Sequence, residues 1–414
     1  MFRGGFFIMK KSFFIILILN FLLICQNQIE KIVIIGNTKT SKTIILNILN
    51  HKVGDSINMD LVVDDKKKLL DLQLFNNVIV YPYESIYYII VKEKSNFSFT
   101  PLISKDEILG WSYGIGFEIK NIKNLPQKID FGIMDGEITS YFLEYSKINP
   151  NKKYNSFTNR FFKSNYSSIE NDYILTQSGF STLFAFNNNI KFVTALFYNE
   201  VDYINQDDVL NTWEVKNTIL YNKINSSLQN TLNHNNNLQI SYSFVLGNYD
   251  YENNNYNHLL NILNKYSLQL THSDQTPRIV LKNQIILNSS SNLPIYEKIY
   301  LSNEDYVRGY AIKPENNDII IQDKIKWNNM FLSSLQLEFP LSDSKFFNTE
   351  LLFFVDYGLG ANTYYNFNYK NKLRGFGIGI RYEINKYGGA DICFGLNPYN
   401  GEKQFHFIAN FKNF

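Results

Sequence analysis

The chain has 414 residues, a formal net charge of +2 and a mean hydropathy of -0.21. Its length allows two or three ordinary domains, or one large barrel with a small additional module. Nucleic-acid binding requires a concentrated basic face, and a net charge this close to zero argues against one. We therefore expect no nucleic-acid partner. Aromatic residues make up 16% of the sequence, and aromatic richness at low hydropathy is typical of a transmembrane β-barrel.

The first residues have the pattern of an export signal. Lys10 and Lys11 precede an apolar run that ends at Ile24, and this run is shorter than the roughly 20 apolar residues of a membrane-spanning helix. We therefore interpret residues 1–25 as a signal peptide. Lipidation of Cys25 is not expected, because a lipoprotein signal has a small residue where the bulky Ile24 stands.

Residues 28–94 predict a small α+β domain. The apolar periodicity indicates the order strand, helix, helix, strand, strand, over Ile29–Ile35, Thr38–Leu49, Asp60–Leu72, Asn77–Tyr83 and Ile86–Glu93. The segment from Gly36 to Thr43 is similar to a phosphate-binding loop, but Ser41 stands where that motif needs glycine. We therefore expect no nucleotide there, and no cofactor or metal elsewhere in the chain.

Residues 101–414 predict a membrane β-barrel. In Gly110–Lys120 the bulky Trp111 and Tyr113 alternate with small or charged residues, and this alternation recurs along the chain to Phe405–Phe411. An exported chain with membrane-like composition must close its strands into a barrel, because lipid tolerates no unpaired backbone edge. At about 20 residues per strand and connection, fourteen or sixteen strands fit the length.

Two short motifs predict a buried ion pair inside this barrel. Val307-Arg308-Gly309-Tyr310 lies in a loop region, and Phe354-Val355-Asp356-Tyr357-Gly358 follows on an alternating segment. A guanidinium inside a barrel is costly unless it is paired, and a bidentate contact with a carboxylate restores its lost solvation. Gly309 would let the backbone approach the wall, and Tyr310 would pack on it.

Together these features resemble the BamA/TamA-type outer-membrane assembly superfamily, and residues 28–94 resemble its POTRA domain. The resemblance implies sixteen strands, a barrel in the cell outer membrane and one POTRA domain in the periplasm. It implies that the arginine loop lies in the barrel lumen against the wall residues Phe354, Asp356 and Gly358. It also implies a non-enzymatic insertion or translocation factor whose partners are unfolded outer-membrane or secreted polypeptides, the lipid bilayer and possible accessory lipoproteins.

Two places for client polypeptides follow from this hypothesis. In the POTRA domain a client segment would add as a strand to the exposed sheet edge at Asn77, Val78, Ile79 and Val80. In the barrel a weakly paired seam would open between the first strand, expected near Trp111 and Tyr113, and the last strand, expected at Phe405, Phe407 and Phe411. Such a seam could exchange its hydrogen bonds with those of a client strand.

Two alternatives remain at this point. A polypeptide exporter similar to two-partner secretion transporters would pass its client through the lumen, although such transporters usually carry two POTRA domains. An enzyme is not expected, because the five histidines are scattered and no nucleophile stands at a recognisable spacing. A general assembly factor and a paralogue with few clients fit the sequence equally well.

Overall fold

A computed structural model describes the chain over fourteen ranges, and every structural statement below refers to them. They are residues 28–72, 74–106, 110–149, 155–167, 173–186, 189–204, 209–229, 232–251, 254–270, 276–302, 305–311, 326–343, 347–384 and 388–411. The predicted signal peptide lies outside the described residues. None of the helices in these ranges is long and apolar enough to cross a membrane.

The described chain contains two α-helices and twenty-one strands, grouped into two compact units. The helices are α1 (Lys42–Ile48) and α2 (Met59–Asp71). The strands are β1 (Lys31–Ile35), β2 (Phe75–Tyr83), β3 (Ile86–Glu93), β4 (Phe97–Asp106), β5 (Gly110–Lys120), β6 (Gln127–Gly136), β7 (Ile138–Asn149), β8 (Asn155–Ser167), β9 (Tyr173–Ala185), β10 (Ile190–Tyr203), β11 (Val209–Gln229), β12 (Leu232–Tyr251), β13 (Asn254–Gln269), β14 (Arg278–Asn288), β15 (Ile299–Tyr300), β16 (Lys326–Trp327), β17 (Asn329–Asp343), β18 (Phe347–Ala361), β19 (Lys372–Ile384), β20 (Gly388–Leu396) and β21 (Lys403–Phe411).

The N-terminal unit packs both helices on a three-stranded sheet. Its strand order is β1-β3-β2, with β1 parallel and β2 antiparallel to the central strand. The fully buried Ile45, Leu69 and Val78 form its core with residues of all five elements. Gly36 ends β1 at a φ of 90°, and a Cβ there would lie 2.1 Å from the Val91 carbonyl oxygen. Only glycine fits this turn, which directs the chain from the sheet into α1.

A buried carboxylate joins the helices to the sheet of this unit. Asp65 on α2 accepts hydrogen bonds from the Asn50 amide at 2.6 Å and from the Tyr87 hydroxyl at 2.9 Å. It also lies 2.7 Å from Nδ1 of His51, whose Nε2 accepts the Asn58 amide at 3.2 Å. Burial and the hydrogen bond to Asp65 raise the pKa of Tyr87. This network fixes the two helices against β3.

The second unit is a closed barrel of sixteen strands. The strand order around it is β4 to β14 in sequence, then β17 to β21, with β21 returning to β4. This confirms the predicted fold class and decides between fourteen and sixteen strands. On β18 the apolar Phe353 and Val355 are exposed by 41% and 58%, whereas Leu352, Phe354 and Asp356 are almost fully buried. The apolar outer face and the buried inner face therefore alternate as expected of a membrane strand.

The described parts of the connection from β14 to β17 pack on the inner face of the barrel. We call residues 289–328 the lumenal loop; its described parts include the two-stranded ribbon of β15 and β16. Leu301 and Val307 of the loop are fully buried against Met330 and Leu332 of β17 and Leu373 of β19. The loop thus has a small apolar core of its own within the barrel.

The first barrel strand is β4, which corrects the expectation that it lies near Trp111. Trp111 and Tyr113 lie on β5, one strand further from the closing pair. The sequence interpretation missed β4 because Pro101 lies within it, and proline normally argues against a well-paired strand.

Candidate functional site: the lumenal loop and the barrel seam

The structure places Arg308 of the lumenal loop directly against Asp356 of β18. Nε and Nη2 of the guanidinium donate to the two carboxylate oxygens at 2.7 and 2.8 Å, and the Arg308 backbone amide donates to the same carboxylate at 3.1 Å. The two side chains are exposed by 6% and 0%. Such a bidentate contact fixes both the depth and the orientation of the loop tip.

Two further side chains of the wall complete the arginine pocket. Ser334 of β17 donates to Asp356 at 2.6 Å and lies 3.4 Å from Nη2 of Arg308. The guanidinium carbon lies 3.5 Å from the centre of the Phe354 ring, a distance at which a cation is attracted to the ring face. Both charges of the pair are therefore solvated by protein groups instead of water.

The rest of the motif reaches the last three strands of the barrel. The Gly309 amide donates to Nε2 of the buried His406 on β21 at 2.8 Å. The Tyr310 hydroxyl donates to the Arg374 carbonyl oxygen of β19 at 2.7 Å and accepts the Arg374 amide at 3.2 Å. His406 was not singled out in the sequence. The loop tip thus contacts β18, β19 and β21 at once.

Glycines on the wall make room for this close approach. A Cβ on Gly375 of β19 would lie 1.7 Å from the Arg308 carbonyl oxygen, and one on Gly395 of β20 would lie 2.3 Å from the Gly309 nitrogen. Gly358, a predicted wall residue, faces Val307, with its Cβ position 2.6 Å from a Val307 methyl carbon. Larger residues at these positions would displace the loop tip.

A second charged cluster crosses five strands of the same wall. Arg278 of β14 bonds Glu338 of β17 and Glu350 of β18, the latter at 2.7 Å. Arg381 of β19 bonds Glu338 at 2.9 Å and Asp391 of β20 at 3.0 Å. Because each arginine bridges acidic groups on two different strands, the cluster ties this part of the wall together beyond its backbone hydrogen bonds.

The barrel closes through antiparallel pairing between β4 and β21. In the described part of the chain this seam contains three residue pairs, in which Ala409 faces Lys105, Asn410 faces Ser104 and Phe411 faces Ile103. Beyond the end of β4, the Trp111 ring of β5 packs on the Phe407 ring of β21, with ring centres 5.5 Å apart. Trp111 therefore touches the seam although its strand does not form it.

The remaining predicted seam and edge residues have clear positions. Phe405 lies on β21 and is exposed on the outer face, as is Tyr113 on β5. Asn77, Val78, Ile79 and Val80 lie on β2, an edge strand of the POTRA-like sheet; β1 forms the other edge. Among them Val78 is buried and Ile79 is 47% exposed. Their contact with a client is a prediction.

The glycine turn that is similar to a phosphate-binding loop holds a carboxylate of the protein itself. The amides of Thr38, Lys39 and Thr40 donate to Glu93 at 3.2, 2.9 and 2.6 Å. Burial acts to raise the pKa of Glu93, but these hydrogen bonds outweigh it and hold the pKa below its usual value. The turn is thus filled from within the fold.

Family comparisons agree with this geometry. The model described as Omp85 superfamily domain matches residues 103–411, and the POTRA model, described as surface antigen variable number repeat, matches residues 28–96. An outer-membrane barrel with a lumenal loop and one POTRA domain is the class that fold and site define. The chain belongs to the Omp85 superfamily.

Solved structures show the same fold at low sequence identity. BamA from Haemophilus ducreyi lacking POTRA domains 1–3 is 17% identical, with 92% of this chain and 84% of that chain covered and a TM-score of 0.65. CdiB from Escherichia coli is 12% identical, with coverage of 93% and 76% and a TM-score of 0.64. CdiB from Acinetobacter baumannii is 16% identical, with coverage of 93% and 74% and a TM-score of 0.60. Comparison with curated protein sequences gave no match.

Membership places the barrel in the outer membrane and the POTRA domain in the periplasm. Omp85 proteins are non-enzymatic assembly or transport factors that handle unfolded outer-membrane or secreted polypeptides. Within the described ranges no group of three His, Cys, Asp or Glu residues could hold a metal ion.

Proposed function

We propose that this protein inserts β-barrel clients into the outer membrane, with the seam between β4 and β21 as the place of insertion. The observation that carries the proposal is that β21 pairs with β4 to close the barrel, so that the first and last strands meet at one seam. An unpaired strand edge in lipid is costly, so such a seam opens only if another strand takes over its hydrogen bonds. A client β-strand can supply the same number of backbone hydrogen bonds as the β4–β21 pairing that it replaces.

The POTRA domain, for which we propose the bounds 28–94 ahead of a barrel at 101–414, captures the client first. Its edge strand β2 offers the backbone of Asn77–Val80 to an extended segment, and backbone pairing makes capture largely independent of client sequence. The exposed Ile79 and Tyr81 add apolar contacts beside this edge. Accessory lipoproteins would dock on the periplasmic side. The activity needs no catalytic group, metal or cofactor.

The lumenal loop keeps the wall next to the seam in one arrangement while the seam opens. Arg308 and its neighbours contact β18, β19 and β21 from inside, so they hold the C-terminal strands together up to the strand that must part from β4. Loss of this anchor would leave β21 without its support from the lumen. We therefore assign Arg308 and Asp356 to positioning of the seam.

A polypeptide exporter similar to two-partner secretion transporters is the second candidate. The polar inner wall of β10 to β13 favours it, because Lys191, Asn222, Gln239 and Asn261 line a depression there that suits a hydrated chain. In this case the client would pass through the lumen and the seam would stay closed.

Depletion of the protein, followed by an inventory of outer-membrane and secreted proteins, tests the proposal. Broad loss of outer-membrane barrels that wild-type protein restores, and Arg308→Ala produced at the same level does not, is the expected result. Loss of a single secreted protein with a normal barrel inventory would favour export. No loss of either kind would overturn both candidates.

A further inference from the structure

The lumenal loop has a second attachment to the barrel wall, twelve residues before Arg308. The hydroxyl of Tyr296 donates to Glu214 of β11 at 3.1 Å. It also lies 3.1 Å from the hydroxyl of Thr212 and accepts a hydrogen bond from the side-chain amide of Asn199 of β10 at 3.4 Å. Asn199, Thr212 and Glu214 are themselves almost fully buried, so the hydroxyl completes a polar pocket on the wall.

Apolar contacts support this second attachment. Ile295 and Tyr296 pack against a cluster of Tyr173 and Leu175 of β9 and Val201 of β10. The side chains of the cluster are nearly fully buried, with Val201 at 0% exposure. The loop is therefore bound to β9, β10 and β11 by both hydrogen bonds and packing.

The two attachments lie on opposite walls. In the closed order of sixteen strands, four strands lie between β11 and β18 in one direction, and five lie between β21 and β9 in the other. A barrel of this size has a backbone diameter of roughly 30 Å, from a strand spacing of about 4.8 Å and a tilt of about 40°. The Val307 amide donates to the Leu301 carbonyl oxygen at 3.0 Å, so the chain turns between these residues and the backbone path from Tyr296 to Arg308 spans roughly 25 Å. The side chains of Tyr296 and Arg308 extend from its two ends to the wall, which is sufficient to cross the lumen.

The two attachments differ in strength. The Arg308 end has a buried bidentate ion pair, a fully buried apolar core around Val307 and close backbone contacts at glycines. The Tyr296 end is half-buried and depends on neutral hydrogen bonds and one bond to a carboxylate at 3.1 to 3.4 Å. Because charge-assisted bidentate contacts are stronger than neutral hydrogen bonds, the Tyr296 end is the weaker of the two attachments.

We propose that Tyr296, held by Asn199, Thr212 and Glu214, is a positioning residue that fixes the lumenal loop across the barrel and keeps the lumen closed. Release of this end, with Arg308 still bound, opens the lumen along the wall of β9 to β11. The inference rests on the proposed function, because it assigns the resting closure of the same barrel. The inference concerns the contacts of Tyr296 with three side chains that lie 82 to 97 residues away in the chain.

Single-channel recording of the full-length protein in planar bilayers tests this inference. Tyr296→Phe keeps the ring and removes only the hydroxyl. We expect the probability of large openings to rise about two- to tenfold, the factor that corresponds to one ordinary hydrogen bond. Thr212→Val removes the partner hydroxyl from the wall and should act in the same direction. The matched control is Tyr113→Phe, at an exposed position on the outer face.

The thermal unfolding temperature of the barrel is the second readout, followed by heat-modifiable migration on electrophoresis. Openings that increase in Tyr296→Phe and Thr212→Val, with unchanged unfolding temperature, support the inference. If both variants are as closed as Tyr113→Phe, the inference is overturned. It is equally overturned if openings increase only together with a lower unfolding temperature, since Tyr296 then stabilises the barrel in general. Should Tyr296→Phe fail to fold, Thr212→Val decides.

These recordings contain no client, so they are independent of the test of the proposed function. Increased openings with a normal protein inventory after depletion would retain the loop closure and remove the insertion function. The reverse pattern would retain insertion and remove the role of Tyr296.

Discussion

The wall from β17 to β21 and the seam between β21 and β4 are neighbours in one barrel, but they are held very differently. β17 and β18 share fourteen residue pairs and β20 and β21 share eight, whereas the described seam has three. The wall also carries the Arg278–Arg381 charge cluster and the tip of the lumenal loop. Ion pairs and contacts with the lumenal loop are thus concentrated on the wall side of the closing pair.

This contrast implies that β21 is held to the wall on one side and can separate from β4 on the other. Its inner face contacts the lumenal loop through His406, and its far edge pairs with β4. A strand that is held on its wall side can exchange its partner on the other side and remain in place. The predictions below test the two sides of β21 separately.

The largest effect is expected from locking the seam. Lys105→Cys with Ala409→Cys places two thiols at directly opposed positions of β4 and β21, where antiparallel Cα spacing of about 4.5–5.5 Å allows a disulfide. We expect oxidation to abolish client assembly and reduction to restore it, measured by insertion of a client barrel into liposomes containing the protein.

The matched control for the lock uses the same cysteine on β21. Ala390→Cys with Ala409→Cys links β21 to β20, on the wall side, and should leave assembly active in oxidised form. Full activity of the oxidised seam variant would show that the seam need not open.

The second prediction concerns the wall side. Asp356→Asn keeps the shape of the side chain but leaves the Arg308 guanidinium buried without its counter-charge. Removing one partner of a buried pair costs about 3–5 kcal/mol, so we expect the free energy of unfolding in detergent to fall by that order and the loop to become sensitive to protease.

A double substitution sharpens this test. Arg308→Met with Asp356→Leu replaces the pair with apolar groups, which for buried pairs is often neutral, and should recover most of the lost stability without restoring activity. Val355→Ala on the outer face is the control for β18. A double variant as unstable as Asp356→Asn would mean that packing, not charge, dominates this site.

The ion pair was predictable from the sequence because the type of the two residues and their order in the chain were enough to identify them as partners. An arginine in a loop and an aspartate on an alternating strand have few other solutions inside a barrel, and the structure brings Arg308 and Asp356 together. His406 and Tyr296 could not be found in this way. Alternation tells only which face of a strand a residue occupies. The partner of His406 lies 97 residues away in the chain, and the partners of Tyr296 lie 82 to 97 residues away.

The barrel as a whole was predictable, but its first strand was not. Alternating bulky residues identified most strands, since lipid imposes the same pattern on each. In β4 the pattern is interrupted by Pro101, a residue that sequence rules assign to loops or edges. The strand whose alternation is interrupted in this way is the one that closes the barrel with β21.

The third prediction tests the link between the loop tip and β21. His406→Ala leaves the buried Gly309 amide without its acceptor, which costs about 1–3 kcal/mol. We expect partial loss of client assembly and a modest fall in the free energy of unfolding. His406→Gln carries an acceptor at a similar reach and should recover activity. If alanine and glutamine behave alike, this hydrogen bond does not position the seam strand.

The smallest expected effect is a pH dependence at the other end of the lumenal loop, at Glu297. Burial and the Glu214 carboxylate, to which Glu297 is hydrogen-bonded, raise the pKa of Glu297 to about 8, against the opposing effect of Lys216. A raised pKa means that the docked loop binds a proton that the free loop releases. The stabilisation is complete below the ordinary value of 4.5 and is lost as pH rises through about 8.

We therefore expect the probability of large openings in planar bilayers to increase as pH rises from about 5 and to level off above about pH 8, with a rise of up to about tenfold above pH 7. The half-buried position of Glu297 reduces this figure because water screens the charge. Glu297→Gln cannot ionise and should remain closed across the range, while Tyr296→Phe should open more at every pH and keep the dependence. An equal rise in Glu297→Gln would assign the titration to another group, and the Tyr296 end of the lumenal loop would then have no proton-linked contact at Glu297.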